Sequence, residues 1–329
     1  MKKDGTPVPN HRSPFIVGYG GSGVIKNIGK DCCKAAVDNN LSIGKKVAFL
    51  GDANRNGSYA SHILVDYRLV VPLDDEVNLA EAATVPLAGC TAYESLEKVG
   101  LKIGFSPSTE EGNPVTTTGL GKTLLIVGGS GGVGSWTTLL ASALYPDLRI
   151  ICTTSSPESR EWCLKLGATS TIDHGSVNDL GGGRNGSVDY IICLSEPTKE
   201  LFGSLAEVVK PLGKICLVVA GDGIKSLDMS FIFFKSCTVC TETVFSSCRS
   251  GFILNQKDQI GQIFSLFSLG KIKFFPLAPG WKGIAGTLDW KSALQDGGVM
   301  DVLSSGHCRG KLVMKIAEDK DLDHVDTVT

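Results

Sequence analysis

Residues 123–144 read "TLLIVGGSGGVGSWTTLLASAL". Thr123 to Val127 form a short apolar run of strand type, and a stretch favouring helix begins near Val133 and lasts about three turns. Between them, residues 129–134 fit the dinucleotide-binding pattern G-x-G-x-x-G. The order of strand, glycines and helix gives the pattern its meaning. Gly129 permits a tight turn, Gly131 lets the backbone approach a pyrophosphate, and Gly134 lets the helix pack close to the strand. The N-terminus of that helix offers unpaired N–H groups and a partial positive charge to phosphate. Gly129, Ser130, Gly131, Gly132, Val133 and Gly134 are therefore the expected phosphate-binding residues.

Downstream, "RIICTT", "PESREWCLKL", "STID", "VDYIICL", "LFGSLAEVV" and "KICLVVA" alternate between strand and helix character. That alternation is the mark of βαβ units in a doubly wound parallel sheet of the α/β class. Pro157 suits the first turn of its helix, and Gly167 is placed to stop it. Upstream, "KKVAFL" (45–50), "SYASHILVD" (58–66) and "RLVVPL" (68–73) read as strands of a compact β unit. Residues 79–100 read as two short helices meeting at Pro86, the second ended by Gly100. The stretch 104–121, rich in Pro, Gly, Ser and Thr, reads as an exposed insertion or lid. "CTVCTETVF" reads as a strand, "QIGQIFSLFSLGKI" as an amphipathic run, 290–295 as a helix and "GKLVMKI" as a strand. The acidic tail is expected to fray.

Two other glycine stretches compete with 129–134. "GYGGSG" at 18–23 has the same spacing, but Val24, Ile25 and Gly29 follow it and leave no room for a helix. It reads as a strand bent around a glycine-rich turn. "GLGKT" at 119–123 imitates the end of a P-loop, yet Thr116 stands where that motif needs glycine and its strand follows rather than precedes.

A length of 329 residues suits two domains, and 42% hydrophobic residues suit a folded globular protein. A net charge of −2, with no run of like charges, gives no reason to expect nucleic acid or an acidic membrane as partner. "MKKDGTPVPN" lacks the apolar stretch of a secretory signal, and the apolar runs are too short to span a bilayer. Eleven cysteines, several in apolar runs such as Cys152, Cys193 and Cys216, look like reduced buried thiols. A soluble, cytoplasmic protein is the expectation.

The second strand of the series ends in Thr153, Thr154, Ser155 and Ser156 and offers no carboxylate to the adenosine ribose. An acid there would select NADH; its absence, with hydroxyls and Arg160 one helical turn on, favours NADPH. Thr154, Ser155, Ser156 and Arg160 are the expected 2′-phosphate contacts. The loops holding Leu194 and Ser195, and Val219, Ala220 and Gly221, should line the ribose and nicotinamide at the carboxyl ends of their strands.

Taken in order, "VGYGGSGVI", "GSYASHILVD", "AATVPLAGCTAYESL", "LLIVGGSGGVGS", "SSPESREWCLKLGATSTIDH" and "GKLVMKI" resemble the medium-chain dehydrogenase/reductase superfamily. Within it the likeness is to zinc-type alcohol dehydrogenase-like proteins and quinone oxidoreductases, over nearly the whole chain. The resemblance implies a GroES-like β domain from residues 1–93 and 273–329, N-terminally shortened, around a Rossmann NADP-binding domain at 94–272. In zinc-dependent members a His-Glu pair follows the first glycine of the stretch matching "GYGGSG", and the histidine binds zinc. Tyr19 and Gly20 stand there instead.

No metal is expected, therefore. Cys237, Cys240 and Cys248 fall one ligand short of a structural zinc set, and strand alternation accounts for them. His62, His174 and His307 are isolated in the sequence and take no role. The resemblance implies Thr91 at the nicotinamide and Tyr19 facing the substrate cleft, able to hydrogen-bond a carbonyl oxygen. The function expected is hydride transfer from NADPH to a quinone or an α,β-unsaturated carbonyl, the substrate itself unnamed. The alternatives are a non-catalytic NADPH-binding protein of the same fold and a zinc-dependent alcohol dehydrogenase. The resemblance also implies a homodimer, with "TVCTETVF" as the edge strand for pairing.

Overall fold

The computed structural model describes residues 15–103, 119–246, 255–279, 287–293, 295–306 and 308–316. The N-terminal β unit is a three-stranded antiparallel sheet of β1 (Gly20–Val24), β2 (Lys46–Leu50) and β3 (Val70–Pro72), in that order, with the short helix α1 (Cys33–Asp38) between β1 and β2. Gly18, at φ +107°, turns the chain into β1, so "GYGGSG" is the turn and strand expected of it. The expected strand at 58–66 does not form. The N–H groups of Gly57, Ser58 and Tyr59 donate to the carbonyls of Ile16, Gly18 and Val17, and the Ser58 hydroxyl donates to Gly20 O. These donors cradle the glycine turn and so are withheld from a strand ladder at the start of the stretch.

Helix α2 (Leu79–Ala82) starts where the Asn78 side chain accepts from Ala80 and Glu81 N–H. Pro86 lies in a wider, π-type turn over Val85–Gly89 that runs on into α3 (Cys90–Lys98), and Gly100 at φ +91° follows the helix end. The series that follows is β4 (Thr123–Val127), α4 (Gly132–Leu144), β5 (Arg149–Thr154), α5 (Pro157–Lys165), β6 (Ser170–Asp173), β7 (Val188–Cys193), α6 (Lys199–Val208), β8 (Val209–Leu217), α7 (Ser230–Phe234) and β9 (Thr238–Thr241). Its six strands form one parallel sheet in the order β6-β5-β4-β7-β8-β9. This is the doubly wound Rossmann arrangement, and its strand order reverses between β4 and β7. Helices α8 (Gln256–Ser268), α9 (Trp290–Ala293) and α10 (Val299–Ser304) come later, with β10 (Thr287–Asp289) pairing in parallel with β11 (Val313–Lys315). Residues 104–118, the greater part of the expected lid, and the acidic tail lie outside the described residues. Among the described residues, no helix is long and apolar enough to cross a membrane.

Side-chain alternation along the strands divides the core. Leu124, Ile126, Ile150, Cys152 and Ile192 join one buried cluster with Trp136 of α4 and Leu96 of α3. Leu125, Val127, Ile151, Ile191 and Cys193 join another with Phe202 and Leu205 of α6. Burial on both faces explains the unbroken apolar runs, since each large side chain contributes about 1.5–3 kcal/mol. Trp136 also donates from Nε1 to Thr84 O at 3.0 Å, tying α4 to the segment that leads out of the β unit.

At the opposite end of the sheet, the buried Asp189 accepts from Lys122 Nζ (3.1 Å), Thr123 N–H (3.0 Å) and Lys210 Nζ (2.8 Å). It thus joins the starts of β4, β7 and β8. Burial pushes its carboxyl upward, but the bonds from Lys210, Thr123 and Lys122 outweigh burial and hold it below the usual carboxylate range. The stability it confers is therefore present above the ordinary Asp range, near pH 4, and lost as pH falls further. Asp189→Asn is expected to cost about 3 kcal/mol at pH 7 and to flatten the acid limb of the stability curve, as measured by urea unfolding at pH 7 and at about pH 3.

Candidate cofactor and substrate site

The loop between β4 and α4 is shaped by close approaches. The left-handed residue is Gly128 (φ +86°), one position before the motif, so the tight turn expected at Gly129 is made by its neighbour. Gly129 is held to glycine by packing: a Cβ there would stand 2.5 Å from Cys152 Cβ. At Gly134 a Cβ would stand 2.2 Å from Gly128 O, the close helix-to-strand contact anticipated for the third glycine. Gly131 differs. A Cβ on it would meet only Gly128 O, at 3.7 Å, so its surface is open. Gly131 is also the N-cap of α4, and no side chain caps the helix. The start of α4 is thus uncapped and open at Gly131, an arrangement of the kind that fits a diphosphate, with Ser130, Gly132 and Val133 on either side of it.

Thr153, at the end of β5, stands beneath this loop. Its Oγ1 accepts from Gly128 N–H at 2.9 Å and lies 2.7 Å from His174 Nδ1. Burial holds the His174 imidazole below its usual value and favours the neutral ring. No sequence spacing joins these residues, because β5 and β6 bring them together in register. Their contact gives a role to a histidine that sequence reasoning set aside.

The four residues expected at the 2′-phosphate are placed differently from one another. Ser155 is exposed. Ser156 caps α5, accepting from Ser159 N–H at 3.2 Å. Thr154 is buried, and its hydroxyl finds no partner among the described residues. Arg160 donates to Asp173 Oδ1 at 2.6 Å in an ion pair with both side chains exposed. The carboxyl end of β5 and the first turn of α5 therefore present Ser155 and Arg160 to solvent, with Asp173 paired to the guanidinium.

The two following loops meet the glycine turn. A Cβ on Gly128 would stand 3.5 Å from Ser195 Oγ and 3.6 Å from Leu194 Cβ. Glu196 reaches across to accept from Gly223 N–H at 3.0 Å, and a Cβ on Gly221 would fall 2.2 Å from its Cδ. Leu194, Ser195, Val219, Ala220 and Gly221 thus belong to neighbouring loops at the carboxyl edge of β7 and β8. Thr91 is buried in α3, and its hydroxyl donates to Leu87 O at 2.8 Å. Tyr19 is partly buried, its ring edge-on to Phe245 with centroids 5.2 Å apart.

No family model matches the chain. Over 263 residues it is 31% identical to a zinc-type alcohol dehydrogenase-like protein of Staphylococcus aureus, covering 79% of this chain and 72% of that protein. The chain belongs to the medium-chain dehydrogenase/reductase superfamily, in its zinc-type alcohol dehydrogenase-like and quinone oxidoreductase group. It is also 30% identical over 165 residues to the 2-methylene-furan-3-one reductase of Solanum lycopersicum, covering 50% of this chain and 38% of that protein. The fold matches the quinone oxidoreductase of Escherichia coli solved with NADPH, with a TM-score of 0.67, 17% identity and coverage of 91% of this chain and 82% of that one.

Among the described residues, no three His, Cys, Asp or Glu side chains gather as a metal would require. Cys237 and Cys240 sit on or beside β9, their thiols directed to Lys210 O and Ile215 O, while Cys248 and His307 lie outside the described residues. One acidic group had no sequence signal. Burial, and then the adjacent Glu242, push Glu94 of α3 up to about 9. Glu242 is itself paired with Lys98 at 2.7 Å and lies three residues before the Phe245 that packs on Tyr19.

The loop's dependence on one hydroxyl is open to measurement. Thr153→Val leaves the Gly128 N–H without its acceptor and is expected to cost about 1–3 kcal/mol in chemical denaturation.

Proposed function

We propose that this protein is an NADPH-dependent reductase that passes hydride to a quinone or an α,β-unsaturated carbonyl without using zinc. The observation that carries the reading is the open cradle at Gly131 together with Tyr19, a phenol, where the resemblance puts a zinc-binding histidine. The named activities of the tomato furanone reductase and the bacterial quinone oxidoreductase are of this kind, and the latter was solved with NADPH.

The preference for NADPH rests on Ser155 and Arg160 and on a strand end without an acid. The Arg160–Asp173 pair is exposed and so contributes only about 0–1 kcal/mol, which leaves the guanidinium available to a 2′-phosphate. When bound, NADPH supplies the hydride. The uncapped start of α4 holds the diphosphate, and the loops of Leu194, Ser195, Val219, Ala220 and Gly221 orient the nicotinamide half. Thr91, whose proton is committed to Leu87 O, keeps its lone pairs for the carboxamide N–H groups. Tyr19 donates its O–H to the acceptor's carbonyl oxygen as negative charge develops there. A single hydroxyl activates less than a Lewis acid, and this favours acceptors that are already electron-poor.

The test is to titrate NADPH and NADH and then to follow NADPH oxidation with a panel of quinones and enones. Expected are tighter binding of NADPH, turnover of at least one acceptor, and about a tenfold loss of NADPH affinity in Arg160→Ala. Binding without turnover on any acceptor would mark a non-catalytic NADPH-binding protein. Stoichiometric zinc by metal analysis would instead favour an alcohol dehydrogenase.

A homodimer belongs to the same reading. β9 ends the parallel sheet, and α7 just before it exposes Phe231, Phe233 and Phe234 at 64%, 77% and 87%. An edge strand beside three exposed aromatic rings suits a second copy of the chain better than water. Sedimentation is expected to give a dimer mass, with Phe234→Asp shifting it towards monomer. A monomeric wild-type protein would overturn the assignment.

A further inference from the structure

Two thiols stand side by side at the end of the parallel sheet. Cys216 of β8 and Cys240 of β9 are Cα partners in register, and both side chains lie on the face covered by α3. Adjacent strands run about 4.8 Å apart, inside the range of about 4.4–6.8 Å over which the Cα atoms of a disulfide fall. The two thiols differ in access. Cys216 is enclosed, whereas Cys240 is half-buried on the last strand of the sheet, its Sγ 3.6 Å from Ile215 O and 4.0 Å from Lys98 O. Helix α7 packs through Ile232 on the opposite face, so its exposed aromatic rings and the two thiols belong to different sides of the sheet.

The surroundings favour a thiolate at Cys240. Lys98 Nζ donates to Thr241 O at 2.6 Å and pairs with Glu242 at 2.7 Å, one and two residues along from Cys240. Lys214 brings a second ammonium to the same end of α3, where a Cβ on Gly100 would lie 2.7 Å from its Nζ. The Cys216 thiol donates to the Cys240 sulfur, and that bond, followed by Lys98 and Lys214, holds Cys240 down to about 7 against burial and the Glu242 carboxylate. The same contact pushes Cys216 up and keeps its proton in place. A partly accessible, readily ionised sulfur beside a protonated one is the arrangement of an attacking thiol with its resolving thiol. Cys152 and Cys163 also touch, but both are fully enclosed beneath Gly129 and give an oxidant no access.

We infer that Cys240 is a site of oxidation by peroxide and that Cys216 resolves it into a disulfide joining β8 to β9. The Cys240 thiolate attacks one peroxide oxygen, the O–O bond breaks, and hydroxide leaves as Cys240 becomes a sulfenic acid. The Cys216 sulfur then loses its proton and attacks the Cys240 sulfur; the S–O bond breaks, hydroxide leaves, and the S–S bond forms. The two thiols give up two electrons and two protons, and one hydrogen peroxide becomes two waters. The assignment stands apart from the cofactor and acceptor readings given above, since neither takes part in the step.

The experiment treats the reduced full chain with hydrogen peroxide, alkylates the remaining thiols under denaturing conditions and maps the peptides by mass spectrometry. Expected is a peptide pair that links Cys216 to Cys240, lighter by two hydrogens, which a dithiol reductant restores. Cys240 should be consumed about three- to tenfold faster than the exposed Cys33. In Cys216→Ala the reaction is expected to stop at the sulfenic acid, which a 1,3-diketone captures at Cys240, and in Cys240→Ser the link should not form. Thermal unfolding shows whether each variant folds, and the wild-type map decides the matter where one does not. A disulfide between any other pair in place of this one, or a Cys240 still open to alkylation after Cys33 has been consumed, would overturn the assignment.

Discussion

The contact between Gly134 and the carbonyl of Gly128 sets the geometry on which much of the structure depends. No other residue brings α4 so close to the end of β4, since even a methyl group at 134 would stand 2.2 Å from that oxygen. The close approach holds the first turn of α4 at the carboxyl edge of the sheet, where the strand order reverses. From there the helix buries Trp136, Leu140 and Leu144 against β4, β5 and α3. Shifting α4 outward by the width of a methyl group would open this core, and dense interiors tolerate such gaps poorly.

The same helix connects parts that lie far apart in the chain. Trp136 donates to Thr84, so the segment after the β unit is anchored to the parallel sheet. Ser135 Oγ accepts from Trp162 Nε1 and donates to Ser130 O, which ties α5 to the glycine loop. Gly310 donates to the same Ser130 carbonyl and brings the C-terminal strand region to the site. α5 and the region of Gly310 therefore meet at the glycine loop, and the segment at Thr84 meets the helix that follows it. Backbone and indole donors hold them there, and buried donors of that kind are costly to leave unpaired.

Much of this was legible in order along the chain. Short runs of strand type alternating with helix-favouring stretches marked the six strands of the parallel sheet and helices α4, α5 and α6, because local periodicity and capping are local properties, whereas α7 carried no such mark. Pro157 and Gly167 bounded α5 in the same way. The stretch 58–66 misled for a physical reason. Its β-branched and aromatic residues suit a strand, but the N–H groups at its start, Ser58 and Tyr59, are drawn to the turn at residues 16–18, and no spacing in the sequence reports that pairing. The contact of Thr153 with His174, the raised Glu94 beside Glu242, and the pairing of Cys216 with Cys240 were illegible likewise, because each joins residues from separate elements.

The sequence by itself determined the class of fold, the position of the glycine cradle and the absence of a carboxylate at the end of β5, since these depend on residue type and short spacing. Tertiary structure decided which neighbours the named side chains have. It buried the Thr154 hydroxyl, used Ser156 as a helix cap, turned Arg160 to Asp173 and seated Tyr19 against Phe245. Where a side chain points depends on the backbone that carries it and on the neighbours that chain folding brings beside it, and only the assembled sheet and its loops supply those neighbours.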